Sequence, residues 1–150
     1  MNITCQKLNE QDLDRLTALI RVYENVFEMH NFSMPHTDHL QTLLTNGKII
    51  FYTALLNNVV VGGLTAHILS STYYPSSEVY IYDLAVRTEY QRKGIGKQLI
   101  ASLKEYCTGL GIKEIFVQAD VVDQHALDFY KATGGVAENV IHFSYSLPKI

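Results

Sequence analysis

The spacing of apolar residues along the chain predicts helices alternating with strands. Apolar side chains recur every three or four residues in 9–27 and 94–110, which is the period of a helix with one buried face. Shorter helices are predicted over 38–44 and 123–133. Runs rich in β-branched and aromatic residues predict strands over 3–7, 49–56, 59–69, 78–86, 114–119 and 139–146. This order is a mixed α/β layout, in which helices flank a central sheet.

Local signals mark the ends of some of these elements. Asn9 stands three residues before Asp12, which predicts an acidic variant of a capping box with Asn9 as the N-cap of the first helix. Asn57 and Asn58 separate two strands and predict a tight turn, so the second and third strands should form a hairpin.

Composition narrows the class of protein. A chain of 150 residues has the size of one domain, so residues 1–150 are expected to fold as a unit. The net charge of −3 argues against broad nucleic-acid binding. No apolar run reaches the ~20 residues of a membrane span, and residues 1–5 lack the features of a secretion signal. We therefore expect a cytoplasmic protein that binds neither nucleic acid nor membrane.

Metal binding is not expected from the Cys and His content. Cys5 and Cys107 form no metal-binding framework, and a disulfide between them is improbable in the cytosol. His36 and His39 are three residues apart, but no further Cys or His completes a ligand set. We expect no metal site.

The most informative segment is a basic, glycine-bearing turn at 91–97, between a predicted strand and a predicted helix. Such a turn directs unpaired backbone N–H groups and the positive end of the helix dipole at one point. Arg92, Lys93 and Lys97 add side-chain charge. The segment therefore predicts a site for a phosphate-rich ligand. The alternative is an ordinary strand-to-helix turn with a solvated basic edge.

Two other glycine motifs do not fit this turn. A dinucleotide-binding turn needs a small residue where this chain has Leu99. A P-loop needs a longer glycine spacing followed by Lys-Ser or Lys-Thr, and Lys97 is followed by Gln98.

The remaining pattern, Gln91-x-x-Gly94-x-Gly96, resembles the acyl-CoA pyrophosphate signature of the GNAT superfamily of N-acetyltransferases. A second motif of that superfamily follows in the right order: Asp123, Ala126, Phe129-Tyr130 and Gly134-Gly135. The resemblance implies the GNAT fold, a central mixed β-sheet flanked by helices and splayed between the fourth and fifth strands.

A finer resemblance is to the small aminoglycoside 3-N-acetyltransferases of the gentamicin-modifying type. It is carried by the runs 77–86 and 117–120 and by His142-Phe143. The chain departs from them in the shorter region 27–39 and at Gln124-His125. The resemblance implies acetylation of the 3-amino group of an aminoglycoside, an antibiotic-resistance activity. The alternatives are a GNAT enzyme for another amine (a polyamine, an amino-acid derivative or a protein N-terminus) or a non-catalytic CoA-binding module.

The resemblance also implies acetyl-CoA as the acyl donor. In the family, the backbone at the end of the fourth strand pairs with the pantetheine arm, and the amides of the basic turn hold the pyrophosphate. The implied donor-binding residues are Leu84, Ala85, Val86, Gln91, Arg92, Lys93, Gly94, Ile95, Gly96, Lys97, Asp123 and Tyr130.

Carboxylates near the strand ends suit a small cationic amine, which must lose a proton before it attacks. Asp83 is our candidate base, directly or through water, and Asp120 is its partner in amine binding. Glu78 and Tyr80 lie further back on the same strand as further substrate-binding candidates. The alternatives are a strand-end hydrogen bond for Asp83 and a helix cap for Asp120.

Tyr130 matches the tyrosine with which the superfamily protonates the departing thiolate, and core packing is its alternative role. Cys107 lies on the buried stripe of its helix, so we expect direct transfer in a ternary complex rather than an acetyl-cysteine. Superfamily members often pair through their late strands, and the tail 140–147 suits a homodimer.

Overall fold

The computed structural model describes residues 1–149, which form two compact units. The first unit is Met1–Gln118, and the second begins at Ala119. The first unit contains β1 (Ile3–Lys7), α1 (Leu13–Val26), α2 (Thr37–Thr45), β2 (Ile49–Leu56), β3 (Val59–Ser70), β4 (Ser77–Val86), a 3₁₀ turn (Thr88–Tyr90), α3 (Ile95–Gly109) and β5 (Glu114–Val117). No helix in the described part of the chain combines the length and apolar content needed to cross a bilayer.

The five strands form one mixed sheet in the order β1-β2-β3-β4-β5. All neighbouring strands are antiparallel except β4 and β5, which α3 connects in parallel. Asn57 and Asn58 both have positive φ angles in the turn between β2 and β3, as a two-residue hairpin requires. The predicted mixed α/β class and the hairpin are therefore confirmed.

Each face of the sheet has its own apolar core. Leu99, Leu103 and Cys107 of α3 are buried against one face, in agreement with the predicted stripe. Leu16 and Leu19 of α1 are buried against the other face. The sheet is therefore covered on both sides within the first unit, which explains the nearly continuous apolar sequence of β2 and β3.

A glycine on β3 lets α1 approach the sheet closely. A methyl group added at Gly63 would overlap the carbonyl oxygen of Tyr52 and the side chain of Leu19. Glycine is needed here because no larger side chain leaves room for the helix. The close contact fixes the position of α1, including Tyr23 near its C-terminal end.

A β-bulge on β4 changes the face to which its side chains point. Thr65 of β3 pairs with Asp83, and Ala66 pairs with Ile81, so Tyr82 has no counterpart on β3. Val79 and Ile81 before the bulge belong to the α3-side core, whereas Ala85 after it belongs to the α1-side core. The bulge thus turns Asp83 toward the α1 side of the sheet.

β4 and β5 separate at the same point. Their parallel pairing runs from Glu78 opposite Glu114 to Ile81 opposite Val117, and it stops there. β4 continues for five residues, 82–86, with β3 on one side and no strand of the described chain on the other. This is the splay expected of the GNAT fold.

The first helix begins later than its sequence pattern indicated. α1 starts at Leu13, with Asp12 rather than Asn9 as the N-cap. Asn9 instead forms a local turn in which its side-chain oxygen accepts the Gln11 N–H at 2.8 Å, while the Asp12 carboxylate accepts the Asn9 N–H at 2.8 Å. The predicted cap was therefore wrong by three residues.

The predicted closing strand is also wrong. Residues 135–149 form no helix or strand, and their apolar side chains are largely exposed, from 70% at Val140 to 91% at Val136. The alternating apolar sequence has strand propensity, but a strand requires a neighbour to which its backbone can pair, and the described chain gives it none. β5 likewise ends at Val117, two residues before the predicted position.

The described part of the second unit, 119–149, contains one regular element, α4 (Gln124–Ala132). Its N-cap is Asp123, whose carboxylate accepts the Ala126 N–H at 3.0 Å. The helix ends before Gly134, whose φ of 97° is one that glycine adopts readily. The predicted helix over 123–133 is therefore confirmed within one residue at each end.

Candidate active site

The unpaired stretch of β4 offers backbone groups to a ligand. In an antiparallel ladder, alternate residues direct both backbone groups to the neighbouring strand. The Arg87 N–H donates to Val61 O at 2.8 Å, which fixes the alternation and turns Ala85 toward β3. Leu84 and Val86 consequently direct their N–H and C=O groups to the open edge. An extended ligand can bind there as a strand would.

Gln91 ties the following turn to this strand end. Its side-chain Nε2 donates to Val86 O at 2.8 Å, so one of the open-edge acceptors is already used. Arg92 and Gly94 then take left-handed conformations, with φ angles of 59° and 82°. These two residues fold the chain sharply into α3.

The start of α3 leaves its backbone donors free. The N-cap, Gly94, makes no side-chain cap, and the first backbone bond of the helix is from Gln98 N–H to Gly94 O at 3.1 Å. Within the described chain, the N–H groups of residues 92–97 have no hydrogen-bond acceptor. No acidic residue lies in the first turn, and Arg92, Lys93 and Lys97 are exposed.

These features fit a diphosphate group. Unpaired amides at a helix start, the helix dipole and three cationic side chains all favour an anion. The position of a Cβ at Gly94 has no atom within 4 Å, so the surface beside the turn is open. Ile95 is buried, and it can contribute only its backbone.

Asp83 is a half-buried carboxylate on the α1 side of the same stretch of β4. It makes no hydrogen bond or ion pair with any described residue. Burial raises the pKa of the Asp83 carboxyl above its ordinary value, and the charge of His67 offsets part of that rise. The strand-end hydrogen bond that was the alternative role of Asp83 is absent among the described residues, so the carboxylate is available to a ligand.

Tyr23 of α1 lies beside Asp83. Its hydroxyl shares a 2.9 Å hydrogen bond with Thr65 Oγ1, the residue paired with Asp83. Burial raises the pKa of the Tyr23 phenol; the bond to Thr65 opposes this rise, and the Asp83 charge adds to it. Phe27 stacks on Tyr23 with ring centroids 5.6 Å apart.

A row of rings continues along the sheet from this point. His67 meets Tyr82 edge to face at 5.6 Å, Tyr82 meets Tyr80 at 5.9 Å, and Tyr80 stacks on Phe116 at 4.9 Å. Tyr82 is 64% exposed, so its ring is open to a ligand. Such rings can hold a cationic, hydroxylated molecule through their faces and edges.

Of the residues predicted to bind substrate, Tyr80 is part of this row and Glu78 lies close to it. Tyr80 donates its hydroxyl hydrogen to Gln118 Oε1 at 3.3 Å. Glu78 lies two residues further from Asp83, is exposed, and pairs with Leu69 across the ladder. The structure therefore assembles Asp83 and Tyr80 on one strand of the first unit, with Glu78 at its far end.

The other predicted site residues belong to the second unit. Asp120 is exposed, and its carbonyl accepts the Asp123 N–H at 3.0 Å. The helix cap is Asp123 rather than Asp120. The Tyr130 ring meets Phe129 edge to face at 5.1 Å, and its carbonyl accepts the Gly135 N–H at 2.9 Å.

Sequence reasoning missed Tyr23, Thr65 and His67. Thr65 and His67 are polar residues at alternate positions in the otherwise apolar strand β3, so both face α1. That alternation was the available signal. The contribution of Tyr23 depends on packing between α1 and β3, for which the local sequence has no signal.

Two further polar features lie away from this region. An open pocket of about 500 Å³ is lined by Lys7, Asn9, Asn46 and Tyr106 among others, and it includes none of the predicted site residues. His36 caps α2 by accepting the Asp38 N–H at Nδ1, 3.2 Å away.

Comparison with known proteins identifies the family. Residues 14–134 match the model of the acetyltransferase (GNAT) family. The chain belongs to this family of acyltransferase enzymes, as its fold and its two motifs predicted.

Solved structures with high similarity are aminoglycoside acetyltransferases from uncultured soil metagenomic samples. The enzyme meta-AAC0020, in complex with trehalose, is 48% identical with a TM-score of 0.95 over 97% of each chain. In complex with sisomicin the same enzyme is 47% identical, again with a TM-score of 0.95 over 97% of each chain. A second enzyme, HMB0005, is 32% identical with a TM-score of 0.93, over 99% of this chain and 100% of its own.

A curated relative has lower sequence identity to this chain. The uncharacterized N-acetyltransferase YycN of Bacillus subtilis (strain 168) is 30% identical over 107 residues, which is 71% of this chain. The match covers 60% of YycN, so this chain spans less than two thirds of that relative's length.

Proposed function

We propose that this protein transfers the acetyl group of acetyl-CoA to the 3-amino group of an aminoglycoside, by direct transfer in a ternary complex. One observation carries the proposal. Asp83, a half-buried carboxylate without a hydrogen-bond donor, lies in the same unpaired stretch of β4 as the open backbone groups of Leu84 and Val86. The sisomicin complex of a 47% identical enzyme supports the acceptor class.

Residues of the first unit would hold the donor. Leu84 and Val86 would bind its pantetheine arm through backbone groups, and the amides of 92–97 would bind its pyrophosphate. Arg92, Lys93 and Lys97 add charge, while Gln91 holds the turn against β4. When bound, acetyl-CoA supplies a thioester carbonyl that an amine can attack.

Asp83 would hold and deprotonate the acceptor. An ammonium group lacks a free electron pair, so its proton must leave before nitrogen attacks the carbonyl. The Asp83 carboxylate accepts that proton directly or through water. Tyr80 and Tyr82 provide the adjoining wall for a hydroxylated, cationic ring. Asp120 remains the proposed partner of Asp83 in amine binding, and Glu78 remains a further proposed substrate-binding residue.

Two assignments rest on sequence motifs. Tyr130 would protonate the departing thiolate, and the support for this is its place in the motif from Asp123 to Tyr130. Asp123 is assigned to donor binding by the same motif, although its carboxylate already caps α4. A covalent route through Cys107 is disfavoured because that thiol is buried in the α3-side core.

The first test is turnover measured by thiol release. With acetyl-CoA and sisomicin or gentamicin, we expect free CoA and a monoacetylated product, and NMR of the product should locate the acetyl group on the 3-amino nitrogen. Turnover of spermidine or a peptide, but of no aminoglycoside, would reject the acceptor class. Thermal stabilisation by CoA without turnover of any amine would indicate a non-catalytic binding module.

The second test is Asp83→Asn. The amide cannot accept the proton, so kcat/KM for the aminoglycoside should fall by about 100-fold or more, while CoA affinity is retained. Glu10→Gln, at an exposed position in the β1–α1 loop, is the matched control and should keep wild-type activity. Unchanged kcat/KM in Asp83→Asn would remove the proposed base.

We also propose a homodimer. The tail from 136 to 149 exposes Val140, Ile141, Phe143, Tyr145 and Leu147, each by 70% or more. Several exposed apolar side chains in one segment are typical of a protein interface, and a second copy is the partner we expect. Light scattering should give twice the chain mass, and Phe143→Ser with Tyr145→Ser should lower it. A monomer at all concentrations would reject the dimer.

A further inference from the structure

His67 stands beside Asp83 on the α1 side of the sheet, and the reaction described above gives it no protonic role. Thr65 pairs with Asp83, and His67 lies two residues further along β3, opposite Tyr80. Residues in this diagonal relation have side chains within reach of each other on one face. The ring of His67 is held edge-on against Tyr82 at 5.6 Å, with an interplanar angle of 71°.

The groups that face Asp83 include one source of positive charge. From α1 the neutral phenol of Tyr23 faces it, and from β3 Thr65 and His67 do. On β4 the neighbouring ionisable groups are Tyr80, Tyr82 and, further off, Glu78. On the exposed side of α1, Arg21 and Glu24 form an ion pair at 2.8 Å, so their charges offset each other. Among these groups, His67 is the one whose positive charge can act on the Asp83 carboxylate.

We propose that His67 is a positioning residue that keeps Asp83 in its ionised form, ready to receive the ammonium group of the acceptor. The inference rests on the proposed function for its consequence in catalysis, but the coupling of the two side chains can be measured without substrate. His67 acts through Asp83 and through the ring of Tyr82, and it needs no contact with the reacting atoms. Burial alone would favour the protonated, inactive carboxyl, and His67 opposes that tendency.

The test compares His67→Gln with His67→Lys. Loss of the imidazole charge should raise the pKa of Asp83, whereas lysine should restore the positive charge and lower it again. The Asp83 carboxyl carbon is followed by ¹³C NMR as a function of pH in the protein without ligands. We expect the titration in His67→Gln to move upward by roughly half a pH unit or more. His39→Gln, at an exposed position on α2, is the control and should not move it.

A kinetic readout links this coupling to the reaction. The acid limb of kcat/KM for the aminoglycoside should shift to higher pH in His67→Gln and return in His67→Lys. An unchanged Asp83 titration in both variants would overturn the inference, even if the enzyme is active. If wild-type protein acetylates no amine but the titration shifts, the proposed function fails and the coupling stands. If His67→Gln does not fold, the shorter neutral variant His67→Asn is titrated in its place, with the same upward shift expected and the same unchanged titration counting against the inference.

Discussion

The starts of α3 and α4 satisfy the same physical requirement in opposite ways. At the start of α4, Asp123 places a carboxylate on the Ala126 N–H at 3.0 Å, so the helix closes its own end. At the start of α3, Gly94 offers no side chain, the first turn has no acid, and Arg92, Lys93 and Lys97 lie around unpaired amides. The start of α3 is therefore left open for the ligand proposed above, whereas the start of α4 is closed by its own side chain.

This difference shows why a helix start alone says little about function. Every helix has unpaired N–H groups in its first turn, and most helices satisfy them with a side chain. α1 adds negative charge with Asp12 and Asp14, which would repel an anion. The N-terminal end of a helix is left open to a phosphate only when it has no side-chain cap, has no acidic residue in its first turn and is surrounded by cations.

The largest effect is expected from placing an acidic residue at the N-cap of α3, as Asp123 is at the N-cap of α4. Gly94→Asp places a carboxylate where the proposed pyrophosphate binds, so the Kd for CoA should rise about 100-fold, equivalent to ~2.7 kcal/mol. Isothermal titration calorimetry measures this change. Gly94→Asn is the matched control, because it has a similar shape without the charge and tolerates the left-handed conformation.

Gly94→Asn should weaken CoA binding by about 10-fold or less, since the backbone strain is small and the charge is absent. Equal losses for Asp and Asn would mean that the start of α3 holds no anion.

The next largest effect is expected from removing the N-cap of α4, Asp123. Asp123→Ala removes the cap of α4 and should lower the free energy of unfolding by about 1 kcal/mol, measured by urea denaturation. Asp123→Asn keeps an equally good cap and should preserve stability, so any change in its CoA affinity reports on the proposed contact with the donor. A loss of CoA affinity in Asp123→Asn with full stability would show that this carboxylate contacts the donor.

A smaller effect is expected from single cations around the open helix start. Lys97→Gln should raise the Kd for CoA about two- to threefold at low ionic strength, and added salt should remove the difference. Lys104→Gln is the control, because Lys104 is an exposed lysine two turns further along α3. Equal effects at both positions would indicate a general charge effect rather than a site.

The smallest effect is expected from the stability cost of burying the Asp83 carboxylate. Burial raises the pKa of folded Asp83 above its unfolded value, so the folded chain binds more protons between those values. Stability therefore falls as pH rises through this window, and the penalty is complete above the folded pKa. Asp83→Asn should be more stable than wild type at neutral pH, with a smaller gain near pH 4. Glu10→Gln should show no such gain.

The local pattern was sufficient for much of the fold. The limits of β2 were predicted to the residue because its apolar run is bounded by clear turn signals. The start of α1 was misplaced because Asn9 and Asp12 can each cap a helix, and only the turn actually formed decides between them. The closing strand failed because pairing depends on a distant neighbour that no local pattern specifies.

Some features of the candidate site could likewise be predicted from the sequence, and others could not. The open start of α3 was predictable, since the unpaired amides and the basic residues are consecutive in sequence. Asp83 was proposed as the base because it is a carboxylate near a strand end, whereas its orientation depends on a bulge that becomes visible only in the register of β3 and β4. Tyr23 and His67 were missed because three separate elements bring them together.

The bulge at Tyr82 also constrains how the length of this chain can vary in evolution. Removal of one residue there would restore a regular ladder and exchange the two sides of 83–86, turning Asp83 toward the α3-side core and Leu84 toward the α1 side. Insertions and deletions among relatives should therefore collect at the exposed tip between β3 and β4, where 71–76 connect the two strands. The residue count between the bulge and Gly94 should stay constant.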